Sequence, residues 1–399
     1  MPVDLPLGGY DNWQSRLAST PISDNILSNP ILNSALSQLI NSGRITKETG
    51  FSLFDSTPLF SLMNLANIVK EARYGKLVFF NENLHINPTN ICVLACRFCA
   101  FRKGVRNSDA YELSADDFVN RIEPFSPRID EIHSVGGLHP TWRIEHYEQL
   151  YANTKEKFPN IHIKSLSAVE IKHLAIRSNI SVSQVLQRLS ASGLDSIPGG
   201  GAEILVDSIR DRLCRGKESS QEYLDIHKQA HLLNIPTNCT MLFGTIETIH
   251  DRITHLTKLR DLQDVTGGFQ CFVPYPFLAD NSRLPEAKLS TGNDILRVIA
   301  VSRLMLDNIP HIKAYRMNIG DNLGQIALLG GADDIDGTVG HEEIMHSAGS
   351  NTSLSSSSQD LCKLIEQVDC IPVKRNSIYS KFEISKYSTP ELIDLPLLV

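Results

Sequence analysis

The sequence predicts an α/β fold of the (β/α)8 barrel type, preceded by a helical extension and followed by a short tail. From about residue 77 to residue 339, short apolar runs alternate with amphipathic helical patterns. This alternation predicts parallel strands joined by right-handed helical crossovers. Eight such units in roughly 265 residues fit a closed barrel, which typically takes about 250 residues, better than an open sheet.

The predicted strands end in segments rich in glycine and polar residues. In a barrel, chemistry is expected at the C-terminal ends of the strands, where the connecting loops gather. An incomplete barrel of six units, with the last two strands in a lateral extension, is the alternative. The eight predicted strands are 77–86, 131–135, 161–165, 194–197, 239–243, 269–273, 312–317 and 334–339.

Three segments are predicted along the chain. The first segment is residues 1–73. Its residues 1–22 form a tail that is loose or ordered only on docking, and the rest has apolar positions at helical spacing. Residues 74–349 form the barrel. Residues 350–399 start with a serine-rich linker and continue as a short helix and a polar tail, in which no chemistry is predicted.

The composition is that of an ordinary globular enzyme, with 42% hydrophobic and 21% charged residues. A net charge of -7 gives the whole chain no attraction to nucleic acid or to an anionic membrane, so neither is a predicted partner. No basic leader precedes an apolar run, and no stretch approaches the roughly 18 apolar residues of a membrane span. We therefore expect a cytoplasmic protein whose five scattered cysteines outside residues 92–99 are buried thiols.

Cys92, Cys96 and Cys99 form a CxxxCxxC motif. Thiolates are the soft ligands that iron-sulfur clusters select, and these offsets let one loop surround a cluster. Because a cubane has four irons, three ligands leave one iron open to a small molecule unless a fourth protein ligand joins. Spacing alone leaves other interpretations open: a zinc knuckle, which normally has a second C-x-x-C pair that this sequence lacks, a disulfide cluster, or buried structural thiols.

With the aromatic residue Phe98 before its last cysteine, the motif resembles the signature of the radical S-adenosylmethionine (SAM) enzymes. This resemblance implies a [4Fe-4S] cluster held by the three cysteines, with SAM bound to the open iron. Reduction then splits SAM into methionine and a 5′-deoxyadenosyl radical. A reducing electron donor of the flavodoxin or ferredoxin type is therefore implied as a partner, and Phe98 is a candidate cofactor contact.

Further candidates for SAM contacts follow the second, third and fourth strands. Gly136 and Gly137 commonly serve only a tight turn, but in radical SAM enzymes a glycine-rich segment at this place lets the backbone approach SAM. Ser167 and Glu170 come next, with Glu170 as the preferred partner for a ribose hydroxyl or an ammonium group. A lone carboxylate there more often complements a helix dipole. Arg212 either pairs with the SAM carboxylate or is a solvated surface charge.

The candidates for substrate contacts also lie near strand ends, where a single histidine or glutamate is more often structural than functional. Strand alternation places Lys313 and Tyr315 on one side and Arg316 on the other. Lys313 and Arg316 are the hypothetical partners of substrate carboxylates. The predicted substrate set is His85, His139, Glu247, Lys313, Tyr315 and Arg316.

Six segments together resemble the aminofutalosine (aminodeoxyfutalosine) synthases of the futalosine route to menaquinone, over about residues 60–350. Cyclic dehypoxanthine futalosine synthase and the radical SAM half of deazaflavin (FO) synthase share part of the pattern. Two positions depart from it: Thr245 replaces a usual histidine, and Arg316 replaces a usual tryptophan. If either lines the substrate cavity, substrate or rate will differ. The segments are HINPTN (85–90), VGGLHP (135–140), IHIKSLSAVEI (161–171), LDSIPGGGAEI (194–204), LQDVTGGF (262–269) and ADDIDGTV (332–339).

The resemblance implies that the adenosyl radical adds to the enolpyruvyl double bond of 3-[(1-carboxyvinyl)oxy]benzoate. Aryl rearrangement and loss of the carboxylate as CO2 or bicarbonate then give 6-amino-6-deoxyfutalosine, with SAM consumed as a co-substrate. Such a reaction needs a dry cavity and basic groups for two carboxylates. The alternatives are hydrogen abstraction, as in the two relatives, a non-catalytic iron-sulfur protein that senses redox state or carries electrons, and a zinc lyase or hydrolase.

Overall fold

The computed structural model describes residues 5–354 and 357–387. Its strands are β1 (Leu77–Phe80), β2 (Asn83–His85), β3 (Glu131–Ser134), β4 (His162–Ser165), β5 (Thr237–Phe243), β6 (Phe269–Pro276), β7 (His311–Ala314), β8 (Asp334–Ile335), β9 (Ile371–Arg375) and β10 (Phe382–Ile384). Its helices are α1 (Trp13–Ser19), α2 (Asp24–Leu27), α3 (Pro30–Ser42), α4 (Lys47–Ser56), α5 (Leu59–Tyr74), α6 (Ala115–Ile122), α7 (Ile144–Lys157), α8 (Ala168–Ser178), α9 (Val182–Ala191), α10 (Asp207–Leu213), α11 (Ser220–Leu232), α12 (Ile249–Thr266), α13 (Gly292–Met305), α14 (Arg316–Ile319), α15 (Asp321–Leu328), α16 (Ile344–Ser347) and α17 (Ser358–Glu366).

The helical extension before the barrel is present, and it begins earlier than the sequence predicted. Helix α1 lies within the segment expected to be loose, and it is held there because Leu17 is fully buried. Helix α3 begins at the cap residue Asn29, whose side chain accepts hydrogen bonds from the next turn, and ends at Gly43 in the left-handed conformation. Helix α5 then packs along α13 of the barrel.

The barrel strands are parallel and close into a ring of eight positions. One sheet runs β2-β3-β4 and the other contains β5-β6-β7-β8-β1. The two are joined on one side by residues 196 and 197, which bridge Lys164 and Thr237, and on the other side by the parallel bridge between Asn83 and Thr338. The TIM-type fold is therefore confirmed. The last two predicted strands belong to the ring, so the six-unit alternative is wrong.

Four predicted strands are markedly shorter or more interrupted than expected. Run 334–339 forms a strand only over Asp334–Ile335. Run 77–86 splits, because β1 pairs with β8 and β9 whereas β2 pairs with β3. Run 194–197 contributes only bridge residues. Run 312–317 stops at Ala314, since the chain turns at Tyr315 into α14, and the backbone N–H of Arg316 donates to the carboxylate of Asp336.

The C-terminal segment adds two strands and a helix to the fold. Strand β9 pairs in parallel with β1, and β10 pairs antiparallel with β9. A second, small core forms where these strands meet the barrel, and it includes Phe79, Val373, Tyr379 and Phe382. As a result, the end of β9 reaches the interior of the barrel.

One further element agrees with the sequence. Helix α6 begins with the expected capping box between Ser114 and Asp117. No helix in the described ranges is both long and apolar enough to cross a lipid bilayer.

Candidate active site

A cavity of about 300 Å³ opens among the C-terminal ends of the barrel strands. It collects side chains from loops that are far apart in sequence, as expected for the catalytic face of such a barrel. Its walls include apolar groups such as Leu138, Leu242 and Phe277. The predicted site residues that line it are Cys92, Cys96, Phe98, Cys99, Gly136, Ser167, Glu170, His85, Lys313 and Tyr315.

The three cysteines lie together at the rim of this cavity as free, half-buried thiols. Their loop is held by main-chain contacts: the N–H of Cys92 donates to the carbonyl of Lys103 at 3.1 Å, and Arg283 Nη2 donates to the carbonyl of Cys96 at 3.2 Å. Burial raises the pKa of the Cys96 thiol to about 12 and also raises that of Cys99. These two thiols therefore keep their protons until a metal displaces them.

Glu170 ties two of the rim loops together. Its Oε1 accepts a hydrogen bond from the N–H of Gly136 at 2.8 Å, while its Oε2 accepts from the N–H and the Oγ of Ser167 at 2.7 and 2.5 Å. The side chain is 3% exposed, and burial raises its pKa to about 7, against the opposing effect of these hydrogen bonds. Both carboxylate oxygens are thus used in fixing Gly136 and the start of α8.

The floor of the cavity carries buried charges on the barrel strands. Lys164 Nζ lies 2.6 Å from Glu131 Oε2. Asp334 bonds to Lys313 through one oxygen, and its other oxygen accepts from Arg375 Nε at 2.6 Å. Lys164, Lys313, Glu131 and Arg375 all line the cavity. The carboxylates of Asp336 and Glu342 also line the cavity, so its cations and carboxylates lie close together around the same space.

Comparison with known proteins decides the family. A model of the radical SAM superfamily matches residues 86–259, and a model of the CofH/MqnC C-terminal region matches residues 266–388. Over 346 residues the chain is 39% identical to the aminodeoxyfutalosine synthase of Thermus thermophilus, covering 86% of this chain and 93% of that protein. The chain belongs to the radical SAM superfamily. The resemblance inferred from the sequence is confirmed.

Two further similarities show the breadth of this match. The chain is 36% identical over 355 residues to the cyclic dehypoxanthine futalosine synthase of Streptomyces coelicolor, covering 88% of each protein. Its fold is similar to the crystal structure of methylornithine synthase (PylB), with a TM-score of 0.68 at 16% identity, covering 84% of this chain and 96% of that one. The two family models together span the cysteine rim and the cavity floor, from Cys92 to Arg375.

As a radical SAM enzyme, the protein uses a [4Fe-4S] cluster and SAM. Its donor set fits the cluster: three free thiols share one rim, and thiolates are the ligands such clusters require. In contrast, no group of three or more His, Cys, Asp or Glu side chains among the described residues is arranged to hold a single metal ion.

The cavity of this radical SAM enzyme contains a cation that sequence analysis missed. Lys217 lines the wall, pairs with Glu203, and places its Nζ 5.9 Å from the ring centroid of Phe98. Burial alone would lower its pKa, but the charges of Glu203 and Glu218 raise it above the ordinary value. Arg212, the predicted cation for SAM, is exposed and does not line the cavity. No periodic or motif signal distinguishes Lys217 in the sequence.

Three other predicted residues do not line the cavity and have protein partners instead. Gly137 packs against the main chain, where an added Cβ would lie 2.2 Å from the carbonyl oxygen of Ile91. His139 Nε2 lies 2.7 Å from Glu112. Glu247 Oε1 lies 2.7 Å from an Arg252 nitrogen.

The two departures from the family pattern also lie outside the cavity lining. Thr245 is 1% exposed and donates its hydroxyl to Glu247 at 2.6 Å. Arg316 is fully buried at the start of α14, and its Nη1 lies 2.9 Å from Asp321. Neither side chain touches the space available to a substrate.

The remaining cavity wall is polar, and it includes the carboxylates of Asp336 and Glu342. The rings of His85 and His133 stack with centroids 4.3 Å apart, and burial lowers their pKa values to about 3 and about 4. Both rings are therefore neutral at physiological pH. Several buried side-chain atoms in the lining have no hydrogen-bond partner within the described structure, which suits a ligand with hydroxyl and amino groups. They belong to Asn81, Asn83, Asn238, Asn318 and Asp336.

Proposed function

We propose that this enzyme is an aminodeoxyfutalosine synthase. It joins the 5′-deoxyadenosyl group of SAM to 3-[(1-carboxyvinyl)oxy]benzoate, and one carboxylate leaves as CO2 or bicarbonate to give 6-amino-6-deoxyfutalosine. The observation that carries the proposal is the 39% identity to the Thermus thermophilus enzyme of that name, over nearly the full length of both chains. When bound, the cluster and SAM supply the adenosyl radical, and the chain supplies the site around it.

The cations of the cavity floor support this substrate class. The substrate carries two carboxylates, and the floor offers Lys164, Lys313 and Arg375. The acidic groups beside these cations are Glu131, Asp334 and Asp336. In a cavity shielded from water these charges act over a low effective dielectric constant and fix the position of an anion strongly. The apolar wall formed by Leu138, Leu242 and their neighbours suits the aromatic ring and keeps water from the reacting atoms.

Residues near the rim hold the loops in place. Glu170 fixes Gly136 and Ser167, so the backbone beside the cysteine loop stays where SAM is expected to lie. Lys217 offers the buried positive charge that the SAM carboxylate needs. The departures at Thr245 and Arg316 agree with the proposal, because neither side chain lines the cavity and each has its own protein partner.

The proposal includes a reducing partner of the flavodoxin or ferredoxin type. A shallow depression outside the cavity lies beside Cys99 and is lined by Arg102, Lys103 and Arg283. The whole chain is negative, so this local basic surface stands out, and a small acidic redox protein would complement it. We also infer a cytoplasmic location and no nucleic-acid or membrane partner, since the chain as a whole carries a net charge of -7.

The proposal is tested by an anaerobic assay. The reconstituted enzyme is incubated with a reductant, SAM and 3-[(1-carboxyvinyl)oxy]benzoate, and the products are identified by mass spectrometry. Aminodeoxyfutalosine is the expected product. Free 5′-deoxyadenosine without the adduct would point instead to hydrogen abstraction from another substrate. That reaction is the second candidate function, because the chain is also similar to cyclic dehypoxanthine futalosine synthase. No SAM cleavage by a verified cluster would favour the non-catalytic alternative.

A pair of cysteine variants checks the cluster independently of turnover. Cys96→Ala removes a thiol at the rim, and Cys362→Ala removes a buried thiol in α17, away from the cavity lining. We expect iron and sulfide content and visible absorbance to collapse in the first variant and to persist in the second. Equal cluster content in both variants would contradict the assignment of Cys96 as a ligand.

A further inference from the structure

Arg375 reaches the floor of the cavity from outside the eight-membered ring. It ends strand β9, which lies beside β1, and its side chain is 3% exposed. Its Nε donates to Asp334 at 2.6 Å, and its Nη1 donates to the carbonyl of Asn376 at 3.2 Å. Its Nη2 donates no hydrogen bond within the described ranges, although the residue lines the cavity. One edge of the guanidinium is therefore available to a ligand.

The charge around Arg375 calls for an anion. Asp334 is already bound by Lys313, by Arg375 and by the hydroxyl of Tyr379 at 2.9 Å. Asp334 is thus shared by two cations, the adjacent pair of Lys164 and Glu131 is balanced, and Asp336 lines the cavity near Lys313. A buried guanidinium that shares its carboxylate partner with a lysine is stabilised further when an anion joins it. The planar fork of arginine suits a carboxylate, which accepts two of its N–H groups.

The depth of the site indicates which substrate carboxylate lies there. Lys164 lies within β4, whereas the rim residue Ser167 follows the end of that strand at Ser165, so Lys164 lies deeper in the barrel than Ser167. The two carboxylates of the substrate stand at opposite ends of the molecule, so one can lie deep while the other lies near the rim. The enolpyruvyl alkene must lie near the rim to meet the adenosyl carbon, and its own carboxylate is attached to it. The ring carboxylate, at the far end of the molecule, is the group left for the floor.

We propose that Arg375, together with Lys313, binds the ring carboxylate that the product retains, and that Arg375 is the specificity-determining residue for carboxylated aryl substrates. The inference rests on the proposed function and extends it by assigning a role to the C-terminal segment. Arg375 thereby turns the enolpyruvyl end of the substrate toward the cysteine rim.

The test compares two substrates on three proteins. One substrate is 3-[(1-carboxyvinyl)oxy]benzoate, and the other is 2-phenoxyprop-2-enoate, which lacks only the ring carboxylate. The proteins are the wild type, Arg375→Gln and the matched control Tyr379→Phe, which removes another donor to Asp334 but lies outside the cavity lining. The reconstituted holoenzymes are assayed anaerobically with SAM, and kcat/KM is measured for both substrates.

In the wild type, we expect loss of the ring carboxylate to lower kcat/KM by roughly 10- to 150-fold, the worth of hydrogen bonds to a charged group. Arg375→Gln should lower kcat/KM for the carboxylated substrate by a similar factor and leave the smaller substrate within about threefold. Tyr379→Phe should preserve the wild-type ratio. Arg375→Lys should fall between wild type and Arg375→Gln, because lysine keeps the charge but not the fork.

Three results would overturn the inference alone, and a fourth would overturn it together with the proposed function. Equal kcat/KM of the wild type for the two substrates would mean that no cation binds the ring carboxylate. This comparison uses the wild type alone, so it remains informative even if Arg375→Gln fails to fold. Equal losses on both substrates in Arg375→Gln would mean a structural role. The same change of ratio in Tyr379→Phe would trace the effect to Asp334. A wild type that converts neither compound would refute the proposed function itself, and the inference with it.

Discussion

Replacing Glu170 with glutamine tests the structural link between the SAM-side loops. The carboxylate accepts three hydrogen bonds from Gly136 and Ser167. Glutamine has the same shape, but its amide nitrogen must face at least one of these donors. A buried group left without a partner costs about 1 to 3 kcal/mol. We expect Glu170→Gln to lose stability by that amount at low pH and to raise the KM for SAM.

The stability difference between the wild type and Glu170→Gln should depend on pH. Burial raises the pKa of Glu170 from 4.5 to about 7, which corresponds to roughly 3 kcal/mol between folded and unfolded chains. Below pH 4.5 both states hold the proton and no penalty exists. As the pH rises from 4.5 to 7, the unfolded state ionises first, so the wild type loses stability. Glu170→Gln cannot ionise, and its deficit relative to the wild type should shrink over this interval.

Glu247→Gln is the matched control. Glu247 also follows a strand and accepts hydrogen bonds from Gly244 and Thr245, but it pairs with Arg252 and does not line the cavity. Burial alone would raise its pKa, but the charge of Arg252 and these hydrogen bonds bring the pKa below the ordinary value. Its contribution to stability is present above pH 4.5 and is lost as the pH falls below that value.

Anaerobic urea unfolding at several pH values between 4 and 8, with the KM for SAM measured in parallel, provides the assay. The deficit of Glu170→Gln should shrink as the pH rises, that of Glu247→Gln should not, and only the first variant should alter the KM. A deficit of Glu170→Gln that stays constant with pH, or an equal change of KM in both variants, would refute the reasoning.

Two further predictions concern the rim. Lys217→Met should raise the KM for SAM at least tenfold, because a buried charge partner is lost. Arg212→Met, at an exposed position, should change this KM less than about twofold. Steady-state kinetics with varied SAM measure both values, and equal effects of the two variants would contradict the prediction. Gly137→Ala should lower both thermal stability and cluster content, because its Cβ would meet a carbonyl oxygen at 2.2 Å. At Gly200 the nearest atom lies 3.9 Å away, so Gly200→Ala should be tolerated. Iron analysis and thermal unfolding measure both variants, and a greater loss in Gly200→Ala would contradict the prediction.

Local patterns in the sequence were enough to predict the ring and much of its rim. The cysteine spacing, the alternation of strand and helix, and the residues following each strand depend on neighbours along the chain. The side assigned to Lys313 and Tyr315 also agrees with the cavity lining, although the strand ends at Ala314. The loops converge on one rim because the strands are parallel, which the alternation already implied.

Contacts between distant segments account for what the sequence did not reveal. Arg375 reaches the cavity only because β9 pairs with β1, whose residues lie almost three hundred positions earlier in the chain. Lys217 faces inward because of the turn after α10, where neither strand nor helix periodicity applies. Arg316 was predicted at the substrate, but it lies outside the cavity lining because its side chain pairs with Asp321.

Addition of the adenosyl group to the substrate can be tested by following both hydrogens on the 5′ carbon of SAM. SAM carrying two deuterium atoms at this carbon is turned over anaerobically with 3-[(1-carboxyvinyl)oxy]benzoate, and the products are weighed by mass spectrometry. We expect aminodeoxyfutalosine that retains both deuterium atoms, since the 5′ carbon forms a bond to the substrate without losing hydrogen. Dideuterated 5′-deoxyadenosine with a third hydrogen taken from substrate, and no adduct, would contradict it.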